Sequence, residues 1–260
     1  MSKPNSQEVK AGLNKRAQAA EATRRRLLLA AERVFAENGY ENAAARDICA
    51  RAKANLAMIN YHFGSKLGLY RAVFLRRGEV LNKHRIEELD RVMQAARGRP
   101  DLTGVVRALV GPNIRLRNDA AMGGIHFARM IAHEIIDPNG KRREIIGLIF
   151  DKVASRFIEA LSLALPQASH ADLHWAYHFT IGTLVQTMAN NGRIEKISKG
   201  ACRVSNVEVV LDHLVPFVAQ GILGCVASPG RVRSAHATDA VNEPIHNQEE
   251  SGRTTNRHPG

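Results

Sequence analysis

Apolar residues recur at three- and four-residue spacing from Arg24 to about Leu223, and alternating strand patterns are scarce, so the chain reads as all-α. The spacing predicts a first helix over 23–38 that turns Leu27, Ala30, Ala31, Val34 and Phe35 inward and is closed by Gly39. A short second helix is predicted over 44–52 with Ile48 and Cys49 inward, then a third over 56–62 with Asn55 as its N-cap. Gly64 breaks the third, and Ser65 caps a long fourth helix over 66–96 that ends at Gly98-Arg99-Pro100. Further helices are predicted over 101–117, 123–136, 139–164, 170–190 and 206–223. Pro138, Pro166 and Gly192 punctuate them, and Ser169 with Asp172 and Ser205 with Glu208 form starts of the capping-box kind. Pro216 is expected to kink or split the last helix.

Three short helices ending in a tight turn make a helix-turn-helix module, whose third helix can enter the DNA major groove with its N-terminal residues near base edges. Its candidate readers are Leu56, Ala57, Met58 and Asn60. Apart from Asn60 these are small or apolar and suit thymine methyl groups, and Asn60 can equally reach a phosphate. The fourth helix carries many charges after its first turns and is expected to bridge this module to the remainder. The expected organisation is a flexible basic arm over 1–22, the helix-turn-helix domain over 23–70, a helical domain over 71–225, and a disordered tail over 226–260. No internal repeat points to a solenoid.

With 260 residues, 45% of them hydrophobic and 24% charged, the chain can bury a sizeable core in one large domain or two smaller ones. The formal net charge of +12 suits a polyanionic partner without separating DNA from RNA or an anionic membrane. Its placement narrows the choice. Residues 1–66 carry twelve Lys and Arg against six Asp and Glu, half of the whole excess, whereas 226–260 balances at four against four. The polar start MSKPNSQEVK and the lack of an uninterrupted apolar run of about 18 residues predict a cytoplasmic chain outside the membrane. Cys49, Cys202 and Cys225 are odd in number and far apart, so they read as reduced and structural.

Several short motifs lie in the first quarter of the chain. They are the apolar positions of the first helix, its ending Phe35-Ala36-Glu37-Asn38-Gly39, the pair Asp47-Ile48, and Tyr61-His62-Phe63-Gly64-Ser65-Lys66 followed by Leu69-Tyr70. On these residues the stretch from Arg24 to Phe74 resembles the DNA-binding domain of the TetR family. The resemblance implies a homodimeric, ligand-responsive repressor, not an enzyme, that binds double-stranded DNA at a palindromic operator, and it assigns ligand binding and dimerisation to the helical domain over 71–225. It also implies backbone contacts from Tyr61, His62 and Lys66, supported by Arg46 and by Arg24, Arg25 and Arg26, for which a solvated charge run is the plainer alternative. With Asn55 and the four readers these complete the DNA-facing set. Phe63 and Tyr70 read as core. The turn Ala52-Lys53-Ala54-Asn55 departs from the family's Ala-Gly-Val-Ser, and Ile59-Asn60-Tyr61-His62-Phe63 from its Leu-Tyr-x-His-Phe, which marks a subclass.

The segment from Ile125 to Pro138 is similar to a helix of the CecR-like subgroup of that family. Here Met122, His126, Met130 and His133 share one helix face, as do Trp175 and Phe179 on the helix over 170–190. Met, aromatic and His side chains of this kind can line an apolar pocket for a small-molecule effector; ordinary core packing is the alternative. Ile181, Leu184, Val185 and Met188, with Val207, Val210, Leu211, Leu214 and Val218, are by resemblance the surfaces that pair two copies. His170, His174 and His178 recur every four residues, but no nearby Cys or Glu completes a metal set, and the sequence requires neither metal nor cofactor. A metal-dependent helical enzyme is a weaker reading, since no His-Glu-x-x-His, nucleophile elbow or phosphate loop is present. A nonspecific DNA-binding architectural protein is the other rival, to be told apart by sequence preference.

Overall fold

The computed structural model of the chain describes residues 6–119, 123–137, 140–189 and 192–226. Among the described residues every regular element is a helix: α1 (Ser6–Asn42), α2 (Ala45–Ala52), α3 (Leu56–Phe63), α4 (Lys66–Ala95), α5 (Leu102–Leu116), α6 (Gly124–Ile136), α7 (Gly140–Ala164), α8 (His170–Ala189), α9 (Arg193–Ile197) and α10 (Val207–Val226). The tail from 227 onward, Met122 and Pro138 lie outside the described residues.

The arm expected to be flexible is helical from Ser6, continuous with the predicted first helix. Its sequence explains this. Five alanines between Ser6 and Ala22, interspersed with Gln, Glu, Lys and Arg, favour helix without any tertiary contact. Residues 14–19 are all exposed, so this stretch has no apolar stripe for periodicity to detect. Only from Leu27 does α1 enter the core, burying Leu27, Ala31, Val34 and Phe35. Gly39, at φ 69°, turns the chain out of it, a conformation that costs glycine little.

α4 carries one buried stripe along its whole length, through Leu69, Tyr70, Val73, Phe74, Arg77, Leu81, Arg85 and Leu89. Two arginines therefore occupy core positions. Arg77 is answered by the buried Glu32 of α1, with Nη2 to Oε2 at 2.8 Å and Nε to Oε1 at 3.0 Å. Midway along α4, Gly78 lies against the side chain of Ile149 on α7, where a Cβ would collide with the Ile149 methyl. α5 is buried on nearly every side, from Val105 to Leu116, as befits a helix enclosed by α4, α7, α8 and α10.

Two expectations for the last helix are corrected. Pro216 does not split it, because α10 continues unbroken to Val226. The carbonyl that a proline leaves unbonded, that of Asp212, belongs to an exposed residue and can be hydrated. Nor does Ser205 cap it; Asn206 does, its Oδ1 accepting from Val209 N at 3.3 Å. The box at Ser169 and Asp172 forms as predicted, with Ser169 Oγ donating to Asp172 Oδ2 at 2.7 Å and accepting from Asp172 N at 3.1 Å. By length and composition α10 is also apolar enough to cross a membrane, unlike any other described helix. Requiring an uninterrupted run passes over it, since Glu208 and Asp212 fall in its first turns.

Candidate functional site

α2 and α3 are joined by a turn in which Lys53 takes the left-handed conformation (φ 50°, ψ 51°) while Ala54 N bonds back to Cys49 O at 3.0 Å. A non-glycine residue there costs of the order of 1 kcal/mol. Ile48, Cys49 and Ile59 are buried and lock the two helices onto α1. The Arg51 guanidinium forks onto the Glu37 carboxylate at 3.0 and 2.7 Å and adds a second tie between α2 and α1. That hydrogen bond is also what holds the Glu37 carboxyl below its usual range.

α3 is closed at both ends by residues the sequence singles out, the Asn55 side chain at its start and Gly64 at its end, where Gly64 N donates to Asn60 O at 2.9 Å. Asn55 Oδ1 accepts from Met58 N at 3.1 Å, and after Gly64 (φ 74°) Ser65 Oγ accepts from Gly68 N at 3.0 Å to start α4. With Ile59 inside, Leu56, Ala57, Asn60 and Tyr61 are left on the opposite, exposed face. Tyr61 is 75% exposed and Leu56 55%, an unusual outlay of apolar surface for eight residues that bury only Ile59 fully. Met58 and His62 are half-buried, and the His62 ring meets Tyr61 edge-on at 4.9 Å.

Cations surround this face in different states of engagement. Arg25 and Arg46 are exposed. Arg24 lies over the Phe63 ring at 5.6 Å and 3.5 Å from Glu21. Arg26 is engaged within the fold, its Nε donating to Ala52 O and its Nη2 to Thr23 Oγ1, both at 3.1 Å, so it fixes α1 against the end of α2. Lys66 Nζ lies over the Tyr40 ring at 4.5 Å and donates to Glu41 O at 3.4 Å.

Among the described residues, those predicted to line an effector pocket differ widely in exposure, and none of them borders the hollow among α4 to α8. Met130 is buried, His126 half-buried with a buried Nδ1 that lacks a partner, and His133 exposed. Trp175 and Phe179 stack on each other at 5.6 Å and are 53% and 51% exposed. His170 and His174 have ring centres 4.1 Å apart, and His178 packs edge-on against Trp175. No group of three metal-ligating side chains occurs among the described residues.

A partly open cavity of about 240 Å³ lies among α4, α5, α6, α7 and α8. Ile131, Ile146, Phe150 and Leu184 supply apolar wall, and Arg85, Asn113 and Tyr177 add polar groups. A larger hollow of about 480 Å³ beside α9 and α10 is open and lined by the exposed Ile194, Cys202 and Phe217. Sequence reading misses Arg85 because it resembles one more charge on a charged helix. The available signal is its register, eight residues beyond Arg77 on the same buried stripe.

The side chains proposed to pair two copies also divide. Leu184, Met188, Leu211, Leu214 and Val218 are buried within the chain, where α10 packs on α5 and α8. The exposed apolar residues of α8 and α10 are instead Trp175, Phe179, Val209, Phe217 and Leu223.

Residues 27–73 match the family model described as bacterial regulatory proteins, tetR family, and residues 107–221 match that of the tetracyclin repressor-like C-terminal domain. No curated protein matches the sequence. Solved structures with the same fold include the transcriptional regulator FadR from Bacillus subtilis in complex with stearoyl-CoA, 15% identical over 75% of this chain and 97% of that one, with a TM-score of 0.54. FadR from Bacillus halodurans is 16% identical over 75% and 97%, with a TM-score of 0.54. Salmonella enterica GusR is 16% identical over 79% and 96%, with a TM-score of 0.53. With a helix-turn-helix presenting one face of α3 and both family models spanning its helices, the chain belongs to the TetR family of transcriptional regulators.

Proposed function

We propose that this chain is a ligand-responsive repressor, acting in the cytoplasm, that binds a palindromic operator as a homodimer with α3 of each copy in the major groove. The observation that carries this reading is the exposed set Leu56, Ala57, Asn60 and Tyr61 on a helix otherwise fixed by Ile59 and its two caps. Those side chains are exposed, and Leu56, Ala57 and Asn60 match the apolar and amide contacts that base edges accept. Arg24, Arg25, Arg46, Tyr61, His62 and Lys66 are assigned to phosphates, whereas Arg26 and Asn55 act mainly by holding α1 and α3 in place. Two heads engaging successive major grooves about 34 Å apart require a nearly palindromic site.

The exposed apolar faces of α8 and α10 supply the pairing surface, which accounts for the apolar character of α10 without a membrane. The effector occupies the cavity walled by α4 to α8. α4 supplies Arg85 to that cavity and joins α3 at its other end, so ligand binding that shifts α4 changes how the two heads sit on DNA. The size of that response is bounded by the ligand's preference for one state over the other.

The test is selection of bound sequences from random duplex DNA, followed by affinity for the winner against scrambled DNA at fixed salt. A palindrome preferred by about a thousandfold or more, bound more weakly by Tyr61→Ala and with its preference relaxed in Asn60→Ala, is the expected result. Equal affinity for scrambled DNA would overturn the reading in favour of nonspecific binding.

A further inference from the structure

Arg85 is the anomaly of the effector cavity. Its side chain is only 4% exposed, and its Nε is fully buried without a hydrogen-bond partner. It has no ion pair among the described residues, in contrast to Arg77 two turns earlier, which is clamped by Glu32. The Phe150 ring lies 5.8 Å from the guanidinium carbon, and the Tyr177 phenol is also within electrostatic reach of it. Asp151 also borders the cavity and acts electrostatically on Tyr177, but it is exposed and forms no ion pair with Arg85 among the described residues. Burial pulls the Arg85 guanidinium below its usual pKa and pushes the Tyr177 phenol above its own.

A buried, unpaired cation is costly to a fold and persists where something else completes it. The rest of the wall states what that partner must look like. Isoleucines 131, 146 and 181, with Phe150, Leu184 and Met188, would desolvate a hydrocarbon body. The volume of about 240 Å³ exceeds the ~150 Å³ apolar cavity that holds a benzene ring, leaving room for a ring with a short substituent or a medium-length alkyl chain. A planar guanidinium matches a planar carboxylate. The Asn113 amide lies on the same wall, its Nδ2 committed to Leu109 O at 2.9 Å.

From this geometry we propose that the effector is an amphiphilic monocarboxylate whose carboxylate pairs with Arg85 and whose apolar body lies against α6, α7 and α8. This deepens the repressor reading and rests on it for the word effector, but the binding itself is testable without DNA.

Calorimetric titration of the full chain with benzoate, phenylacetate and octanoate, each against its neutral amide, reads the site directly. The acid that fits is expected to bind at least about tenfold more tightly than its amide, as a charge-assisted hydrogen bond requires. Arg85→Met should abolish that preference without lowering the melting temperature. Equal affinity of every acid and its amide for the native chain, no binding by any acid, or an undiminished preference in Arg85→Met would overturn the assignment. Operator affinity is measured separately by fluorescence anisotropy with the same probes. An acid that binds through Arg85 yet leaves operator affinity unchanged supports the site and refutes the effector reading. Operator release by a neutral compound, with no acid bound, overturns the site and leaves the effector reading standing.

Discussion

The hydroxyl of Tyr70, in the second turn of α4, donates to the carboxylate of Glu134 on α6 at 2.7 Å in a fully buried setting. Tyr70 is at the same time the centre of an aromatic cluster with Phe35, Tyr40 and Phe74, and Phe74 in turn touches Phe127 of α6. The bond thus ties the helix that follows the DNA-reading turn to the helix that supplies Ile131 and Ile135 to the cavity. Tyr70→Phe keeps the ring and deletes the donor to a buried acid, so it should destabilise the chain by about 1.5–3 kcal/mol in urea denaturation. If the bond also transmits the ligand signal, operator affinity in the variant should respond less to effector; an undiminished response would assign Tyr70 to stability alone.

The buried pair of Glu32 and Arg77 makes a sharper stability test. Glu32→Ala removes the carboxylate from a cation that is 7% exposed and is expected to cost about 3–5 kcal/mol. Replacing both residues, as Glu32→Leu with Arg77→Met, should recover most of that loss. A double variant as unstable as the single one would show that the pair does more than neutralise itself.

Lys53 holds a left-handed backbone at the turn between α2 and α3. Lys53→Gly should therefore raise stability by about 0.5–1 kcal/mol, the relief of strain outweighing the added freedom of the unfolded chain. Chemical denaturation checks this. A loss of stability would mean that the lysine side chain contributes packing or charge worth more than the strain.

Phe217 on α10 is 68% exposed and lies near the exposed Phe179 of α8, with which it borders a shared groove. Phe217→Asp should shift the chain from dimer to monomer in sedimentation and weaken operator binding, while changing protomer stability by no more than about 0.5 kcal/mol. A dimer of unchanged strength would move the pairing surface away from these two helices.

The DNA-reading head is legible in the sequence because its signals are local. Asn55, Gly64 and Ser65 announce helix ends, and Ile48, Cys49 and Ile59 announce the inward faces, each within a few residues of what it determines. The cavity is not legible in the same way. Helical spacing tells which residues share a face but not what that face meets. Met130 and His133 are three residues apart, yet one is buried and the other exposed. On α8 and α10 the most regular apolar stripe packs inside the chain, which leaves the less regular Trp175, Phe179 and Phe217 for the outside. The helical stretch ahead of Leu27 escapes periodicity because residues 14–19 are all exposed and form no buried stripe.

Gly78, where α4 lies directly against Ile149, divides the helix almost evenly between Tyr70 and Arg85. At 1.5 Å per residue the two arms are about 12 Å and 11 Å long. With no side chain on α4 at that point, a tilt of the helix about this contact would have nearly equal arms on either side. Such a tilt, driven at Arg85 by the proposed carboxylate, would move Tyr70 by a similar distance in the opposite sense. Gly78→Ala places a methyl on the pivot, and the consequence to look for is an operator affinity that no longer follows the ligand.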